Sequence, residues 1–258
     1  MTPDRYVEPA RPPAAAGTGA GRRTGLAARL AAVEDRIGQA CRAAGRPRAD
    51  VTLVTVTKFF PATDVELLAG LGVTDVGENK AQEAAAKVAE LDPALRAGLR
   101  VHFVGQLQTN KARQVVGLAD LVHAVDRDRL VTALDRAAAE AGRRVEVLLQ
   151  VDLDPKSTVD GRSGRGGARP DAIPALADLV SGAAHLELRG LMAVAPLGAD
   201  PDEAFARLAL TAERLRAGHP RATLLSAGMS GDLEAAVRHG ATHLRVGSAI
   251  LGARPVPR

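Results

Sequence analysis

Aromatic side chains make up only 2% of this 258-residue chain: four phenylalanines, one tyrosine and no tryptophan. Such a chain lacks the stacking surfaces with which proteins hold single-stranded nucleic acid. Its core must be built from Ala, Val and Leu, within a hydrophobic content of 46%. Charge of one sign is also lacking, since 34 basic residues face 30 acidic ones and leave a net +4. That balance, with arginines interleaved among acids, gives no concentrated basic face for nucleic acid. Cysteine occurs once, at Cys41, which excludes an internal disulfide and points to a reducing compartment. No run approaches the roughly 18 consecutive apolar residues of a membrane span. The first 24 residues carry Pro3, Pro9, Pro12, Pro13 and the tract Gly17-Thr-Gly-Ala-Gly21, without the apolar region of a signal peptide. They read as a disordered tail ahead of one domain over 25–258, and the protein is expected in the cytoplasm.

Lysine is the other scarce residue. Only five occur, at 58, 80, 87, 111 and 156, against a background of arginine. Lys58 ends the run Val51-Thr-Leu-Val-Thr-Val-Thr-Lys58, which reads as a strand buried on both faces. An ammonium there is costly unless it is paired, solvated or chemically used. Two readings stand: a lysine that snorkels out of the strand end, or an amine of lowered pKa that forms a Schiff base with a carbonyl.

Beyond a helix over about 26–44, short β-branched or apolar runs recur near 51–58, 73–76, 101–104, 121–125, 145–151, 186–192, 222–226 and 243–246. Helical segments separate them, near 62–70, 80–90, 108–117, 127–141, 171–182, 201–217 and 231–239. Strict alternation implies a parallel sheet, and eight strands imply a closed (β/α)8 barrel of the TIM type. A doubly wound open sheet is the alternative, but Lys58-Phe-Phe-Pro61 stands where its glycine fingerprint would be.

In such a barrel the chemistry sits at the C-terminal ends of the strands, and the loops after strands seven and eight commonly hold phosphate. Those loops here are Ser226-Ala-Gly-Met-Ser230-Gly and Arg245-Val-Gly247-Ser248. Small residues let backbone amides approach an anion, although Ser230 and Ser248 could equally be ordinary helix caps. Arg245 shares a strand face with Gly247; it points either into the barrel mouth or toward the outer helices. Asn79, followed by Gln82, resembles a capping box. His102 falls at the wrong end of its strand for the active face and reads as structural. The Gly/Arg-rich segment 154–170 is either an anion-meeting loop or a solvated one. No Cys/His set has metal-ligand spacing, and no metal is expected. A Schiff-base lysine with a phosphate cradle fits a phospho-sugar aldolase or pyridoxal phosphate.

Several motifs, in order, resemble the YggS/PROSC family of pyridoxal-phosphate homeostasis proteins over about 26–254. They are Val54-Thr-Val-Thr-Lys58-Phe-Phe-Pro61, Gly77-Glu-Asn79 with Gln82-Glu83, His102-Phe-Val-Gly105 with Leu107-Gln108 and Asn110-Lys111, Leu191-Met192, Ser226-Ala-Gly-Met-Ser230, and Arg245-Val-Gly247-Ser248 with Gly252-Ala-Arg254. The resemblance implies a fold-type III barrel in which Lys58 carries pyridoxal 5'-phosphate as a Schiff base. It implies phosphate contacts from Ser226 or Ser230 and from Gly247 and Ser248. Arg245 would face the pyridine nitrogen, as in alanine racemase, and Asn79 and Met229 would line the pocket. Two departures are Ala227, where many members have Met, and Phe59-Phe60 in place of a more polar pair. With its only tyrosine at Tyr6 and its end at Arg258, the chain shows no opposing catalytic acid and no room for an added C-terminal domain. The implied role is a non-catalytic carrier or buffer, monomeric or weakly dimeric, that meets apo-enzymes transiently. A racemase-like enzyme is the alternative.

Overall fold

The computed structural model of the chain describes residues 19–154 and 166–253. Eight parallel strands close into a barrel in sequence order: β1 (Thr52–Val56), β2 (Asp75–Glu78), β3 (Arg100–Phe103), β4 (Leu121–Val125), β5 (Val145–Val151), β6 (Leu186–Ala193), β7 (Leu224–Ser226) and β8 (His243–Val246). Closure comes from β8 pairing with β1, with Val54 opposite Arg245. Around the barrel run α1 (Gly19–Ala43), α2 (Ala62–Ala69), α3 (Ala81–Glu90), α4 (Pro93–Ala97), α5 (Ala112–Val116), α6 (Asp128–Glu140), α7 (Ile173–Gly182), α8 (Pro201–Gly218), α9 (Leu233–Arg238) and α10 (Ser248–Leu251). The expected (β/α)8 fold is the observed one.

The differences are local and have physical causes. Helix α1 begins at Gly19, inside the stretch read as tail; residues 1–18 lie outside the described residues. Its first turn is held by a tertiary contact, because Arg22 pairs with the Asp64 carboxylate at 2.6 Å. Helix α4 was not expected. Asp92 caps it by accepting from the N–H groups of Ala94 and Leu95 at 2.9 and 3.1 Å, and Pro93 takes the first position, where its missing N–H costs nothing. The stretch expected as one helix over 108–117 splits into a 3-10 turn, Thr109–Lys111, and the short α5. Of the Gly/Arg-rich segment, residues 155–165 lie outside the described residues, while Ala168 bridges to Val151 beside the barrel.

Alternation along each strand sorts the interior from the helix-facing layer. Val101, Phe103, Leu244 and Val246 pack outward in the large cluster shared with the helices. A small separate cluster of Leu121, Ala124, Leu148 and Met192 is buried apart from it. Barrel interiors are ordinarily filled by branched apolar side chains. Here a polar column is buried as well: His102, His123, Ser226, His243 and Arg245 are each no more than 5% exposed.

Candidate functional site

Strand β1 stops at Val56, so Lys58 lies in the turn beyond it and not in the strand itself. The N–H of Phe60 donates to the Thr57 carbonyl at 3.0 Å, which puts Lys58 and Phe59 at the two central turn positions. Phe59 takes φ +70°, a conformation that bulky residues rarely adopt and that a turn of this kind usually gives to glycine. Its N–H is held by Glu83 at 2.5 Å. Backbone strain of this kind, fixed by a side chain from the next βα unit, is characteristic of functional sites. The Lys58 ammonium and that of Lys80 lie 5.8 and 5.3 Å from the Phe59 ring centre.

Lys58 opens onto a cavity of about 390 Å³ at the C-terminal mouth of the barrel. The same cavity is lined by Asn79, Met229, Ser230, Arg245, Gly247 and Ser248. The structure therefore brings together seven of the eight residues singled out from the sequence. Ser226 is the exception. It is fully buried in β7, and its Oγ accepts from Arg245 Nη1 at 2.6 Å, beneath the cavity and not on its wall. The capping-box reading of Asn79 also fails, since the residue preceding α3 is Lys80 and no side chain caps that helix.

Arg245 points inward, which closes the alternative of a helix-facing guanidinium. Besides Ser226 it donates to the Ala193 carbonyl at 2.8 Å. Burial pulls its pKa down to about 10, partly opposed by Asp232, so it remains a cation at neutral pH. The loop after β7 presents backbone donors. Met229 N–H is taken by Asp232 at 2.6 Å, whereas the N–H groups of Ser230 and Gly231 have no acceptor among the described residues. At Gly247 the approach is close, and a Cβ there would sit 3.0 Å from the Val56 carbonyl oxygen.

Three features escaped the sequence reading. Arg22, Arg29 and Arg36, spaced by seven on one face of α1, reach the carbonyls of Leu251, Ile250 and Ser230 at 3.1, 2.6 and 2.7 Å. They clamp both phosphate-loop candidates from outside, and their heptad spacing was the available signal. Second, Lys87 is buried against Glu78 at 2.6 Å and against the Thr57 carbonyl at 2.7 Å, directly below the Lys58 turn. Third, His123 and His243 join His102 inside the barrel, with ring centres 5.1 to 6.4 Å apart. Their positions two residues apart from inward neighbours in β4 and β8 could have shown this.

Burial, with the charges of neighbouring arginines, lowers His243 to about 3 and His123 well below the usual imidazole value. Both are neutral in the fold, whereas unfolded histidine titrates near 6.5. Their full contribution is thus present above about pH 6.5 and is lost as pH falls, for His243 down to about pH 3. Each should contribute a slope of about 1.4 kcal/mol per pH unit within its window. Urea midpoints measured between pH 7 and 5 should fall accordingly, and His243→Met should flatten the slope; an unchanged slope would contradict a neutral buried ring.

The sequence profile of the alanine racemase N-terminal domain matches residues 29–255. A Mycobacterium tuberculosis protein named pyridoxal phosphate homeostasis protein is 47% identical over 238 residues, covering 87% of this chain and 91% of the relative. The structure of PipY from Synechococcus elongatus with PLP bound is similar at a TM-score of 0.75 and 36% identity, covering 88% of this chain and all of that one. Alanine racemase from Corynebacterium glutamicum, at 15% identity and a TM-score of 0.65 over 90% of this chain and 62% of its own, shares the fold.

Proposed function

This chain belongs to the alanine racemase N-terminal-domain family, alongside the pyridoxal phosphate homeostasis proteins, and from that premise we propose that it binds pyridoxal 5'-phosphate in intracellular cofactor homeostasis, holding it reversibly on Lys58 as a carrier. The observation that carries this reading is the shared cavity. An amine, Lys58, and a fixed guanidinium, Arg245, line one hollow of about 390 Å³, with the unpartnered N–H groups of Ser230 and Gly231 at its edge. When bound, the cofactor supplies an aldehyde that condenses with an amine to a Schiff base with loss of water, an adduct that absorbs violet light.

The chain's own residues do the rest. Lys58 offers its Nζ from a turn whose backbone is pinned by Glu83. Ser230, Gly231, Gly247 and Ser248 offer small side chains and amides to a phosphate. Arg245 would donate to a ring acceptor and yield no proton, which would leave the ring a weak electron sink; Asn79 and Met229 line the same cavity. Ser226 acts by holding Arg245, in place of touching phosphate.

The absence of turnover is supported by what lines the hollow. Among the described lining residues only Lys58 and Arg245 are ionisable, so no imidazole, carboxylate, phenol or thiol is set to shuttle a proton opposite the lysine. Deuterium wash-in on a panel of amino acids separates this reading from a racemase-like enzyme, because exchange at enzyme-like rates would refute the carrier. No helix among the described residues is long and apolar enough to cross a membrane. We place the protein in the cytoplasm, as a monomer or weak dimer meeting apo-enzymes transiently.

The direct test is spectroscopic. Purified protein incubated with pyridoxal phosphate should gain a violet-region band, and borohydride should lock the adduct onto the peptide carrying Lys58. Lys58→Ala should lose both. A band that survives in the alanine variant would remove Lys58 from the site.

A further inference from the structure

Below the cavity a continuous chain of side-chain hydrogen bonds crosses the barrel. It runs from Arg245 Nη1 to Ser226 Oγ (2.6 Å), to His123 Nδ1 (2.9 Å), from His123 Nε2 to His102 Nδ1 (2.9 Å), and from His102 Nε2 to Asp75 Oδ1 (2.8 Å). Arg245 lies in β8 at the cavity, whereas Asp75 opens β2 at the opposite end of the barrel. All but Asp75 are buried, and the Asp75 side chain is 16% exposed.

The Asp75 end of this chain gives it a direction. An ionised carboxylate only accepts and a guanidinium only donates. Burial alone would raise the Asp75 carboxyl, but hydrogen bonds from His102 and Thr74 outweigh it and keep the group ionised. His102 therefore donates from Nε2, and in the arrangement with one proton per ring it accepts on Nδ1. His123 in turn donates from Nε2 and accepts on Nδ1, and the Ser226 hydroxyl donates to His123 while accepting from Arg245. In this arrangement each of the three links gives one proton and takes one. Every dipole then points its positive end toward Asp75 and its negative end toward Arg245, and aligned bonds of this kind polarise one another.

A buried guanidinium needs compensation, yet the two groups that Arg245 bonds, Ser226 Oγ and the Ala193 carbonyl, are both neutral. Asp232 assists through space but spends Oδ1 on Met229 N–H. A carboxylate placed directly on Arg245 would cancel its field at the cavity. A counter-charge at the far end of a polarised chain anchors the cation without placing a carboxylate at the cavity that Arg245 lines. We propose that Asp75 is the remote counter-charge of Arg245, and that His102, His123 and Ser226 are positioning residues that transmit it through the barrel to the pocket. What it does to bound ligand rests on the carrier reading above.

The experiment pairs a ligand-free arm with a loaded one. In ligand-free protein with ¹⁵N-labelled histidine, both His102 and His123 should show the Nε2–H tautomer, and Asp75→Asn should speed hydrogen exchange at the Arg245 guanidinium. An Nδ1–H tautomer in either ring, or unchanged exchange, refutes the relay whether or not the protein holds cofactor. In loaded protein, Asp75→Asn keeps an acceptor but loses the charge. It should release pyridoxal phosphate about threefold to tenfold faster and shift its absorbance, with unchanged circular dichroism. Ser226→Ala cuts the last link, so Asp75→Asn should add nothing in that background. Additive effects, or a wild-type band and release rate in folded Asp75→Asn, would overturn the proposal. Failure of wild-type protein to take up pyridoxal phosphate would instead count against the carrier reading.

Discussion

Lys87→Met is expected to destabilise the fold by about 3–5 kcal/mol, the usual cost of leaving one member of a buried ion pair alone. Lys87 and Glu78 are 6% and 2% exposed at the side chain, and they meet at 2.6 Å. The substitution strands the Glu78 carboxylate, whose Oε2 already has no partner, with the Thr57 hydroxyl at 2.6 Å as the remaining donor to Oε1. It also frees the Thr57 carbonyl, which Lys87 holds at 2.7 Å one residue before Lys58. Loss of stability should therefore be accompanied by weaker retention of pyridoxal phosphate. Urea denaturation measures the first and dialysis of loaded protein the second. The double variant Lys87→Met with Glu78→Leu removes both charges and should recover most of the stability, but not the tether on Thr57, so ligand retention should stay impaired. Wild-type stability in the single variant would show that the pair is solvated in solution.

The second large effect comes from a residue without a side chain. Gly105, just beyond β3, packs so closely on the loop after β2 that any Cβ would collide with the backbone carbonyl of Asn79 and lie 2.7 Å from its Oδ1. Backbone cannot rotate aside as a flexible side chain can, so Gly105→Ala must push the Asn79 loop outward. A cost of about 3 kcal/mol, at the upper end for overpacking, is expected. Asn79 lines the cavity, so displacement should reach the ligand as well. Thermal melting and the absorbance of loaded protein check the two consequences together. A variant that melts like wild type and keeps its band would mean that the two loops do not touch in solution.

Much of this architecture was legible because it is written in period and order. The β-branched runs at 121–125, 145–151 and 243–246 match β4, β5 and β8, since a strand buried on both faces has no choice but to be apolar. Lys58, Arg245 and the Gly/Ser turns were legible for the complementary reason. Each is a costly or permissive residue placed at a strand end, where the fold puts its loops together. What was missed has another character. Ser226 looked like one more small residue in a phosphate turn, yet it belongs to the strand and its hydroxyl is already committed to Arg245 and His123. Lys87 was counted only as one of five scarce lysines, because its partners Glu78 and Thr57 lie in other elements. His102 was read as structural from its place at the wrong end of its strand, and its partners, His123 and Asp75, come from other strands.

The sequence by itself determined the barrel, the mouth at which the candidate site lies and the amine that lines it, because hydrophobic periodicity and residue chemistry are local properties of the chain. Only the tertiary structure decided which polar residues share hydrogen bonds. Lys87 with Thr57, Arg36 with Ser230, and the line from Asp75 to Arg245 join residues that are 19 to 194 positions apart along their individual links. A hydrogen bond needs its atoms about 3 Å apart in a defined orientation, and that geometry exists only after the barrel has closed.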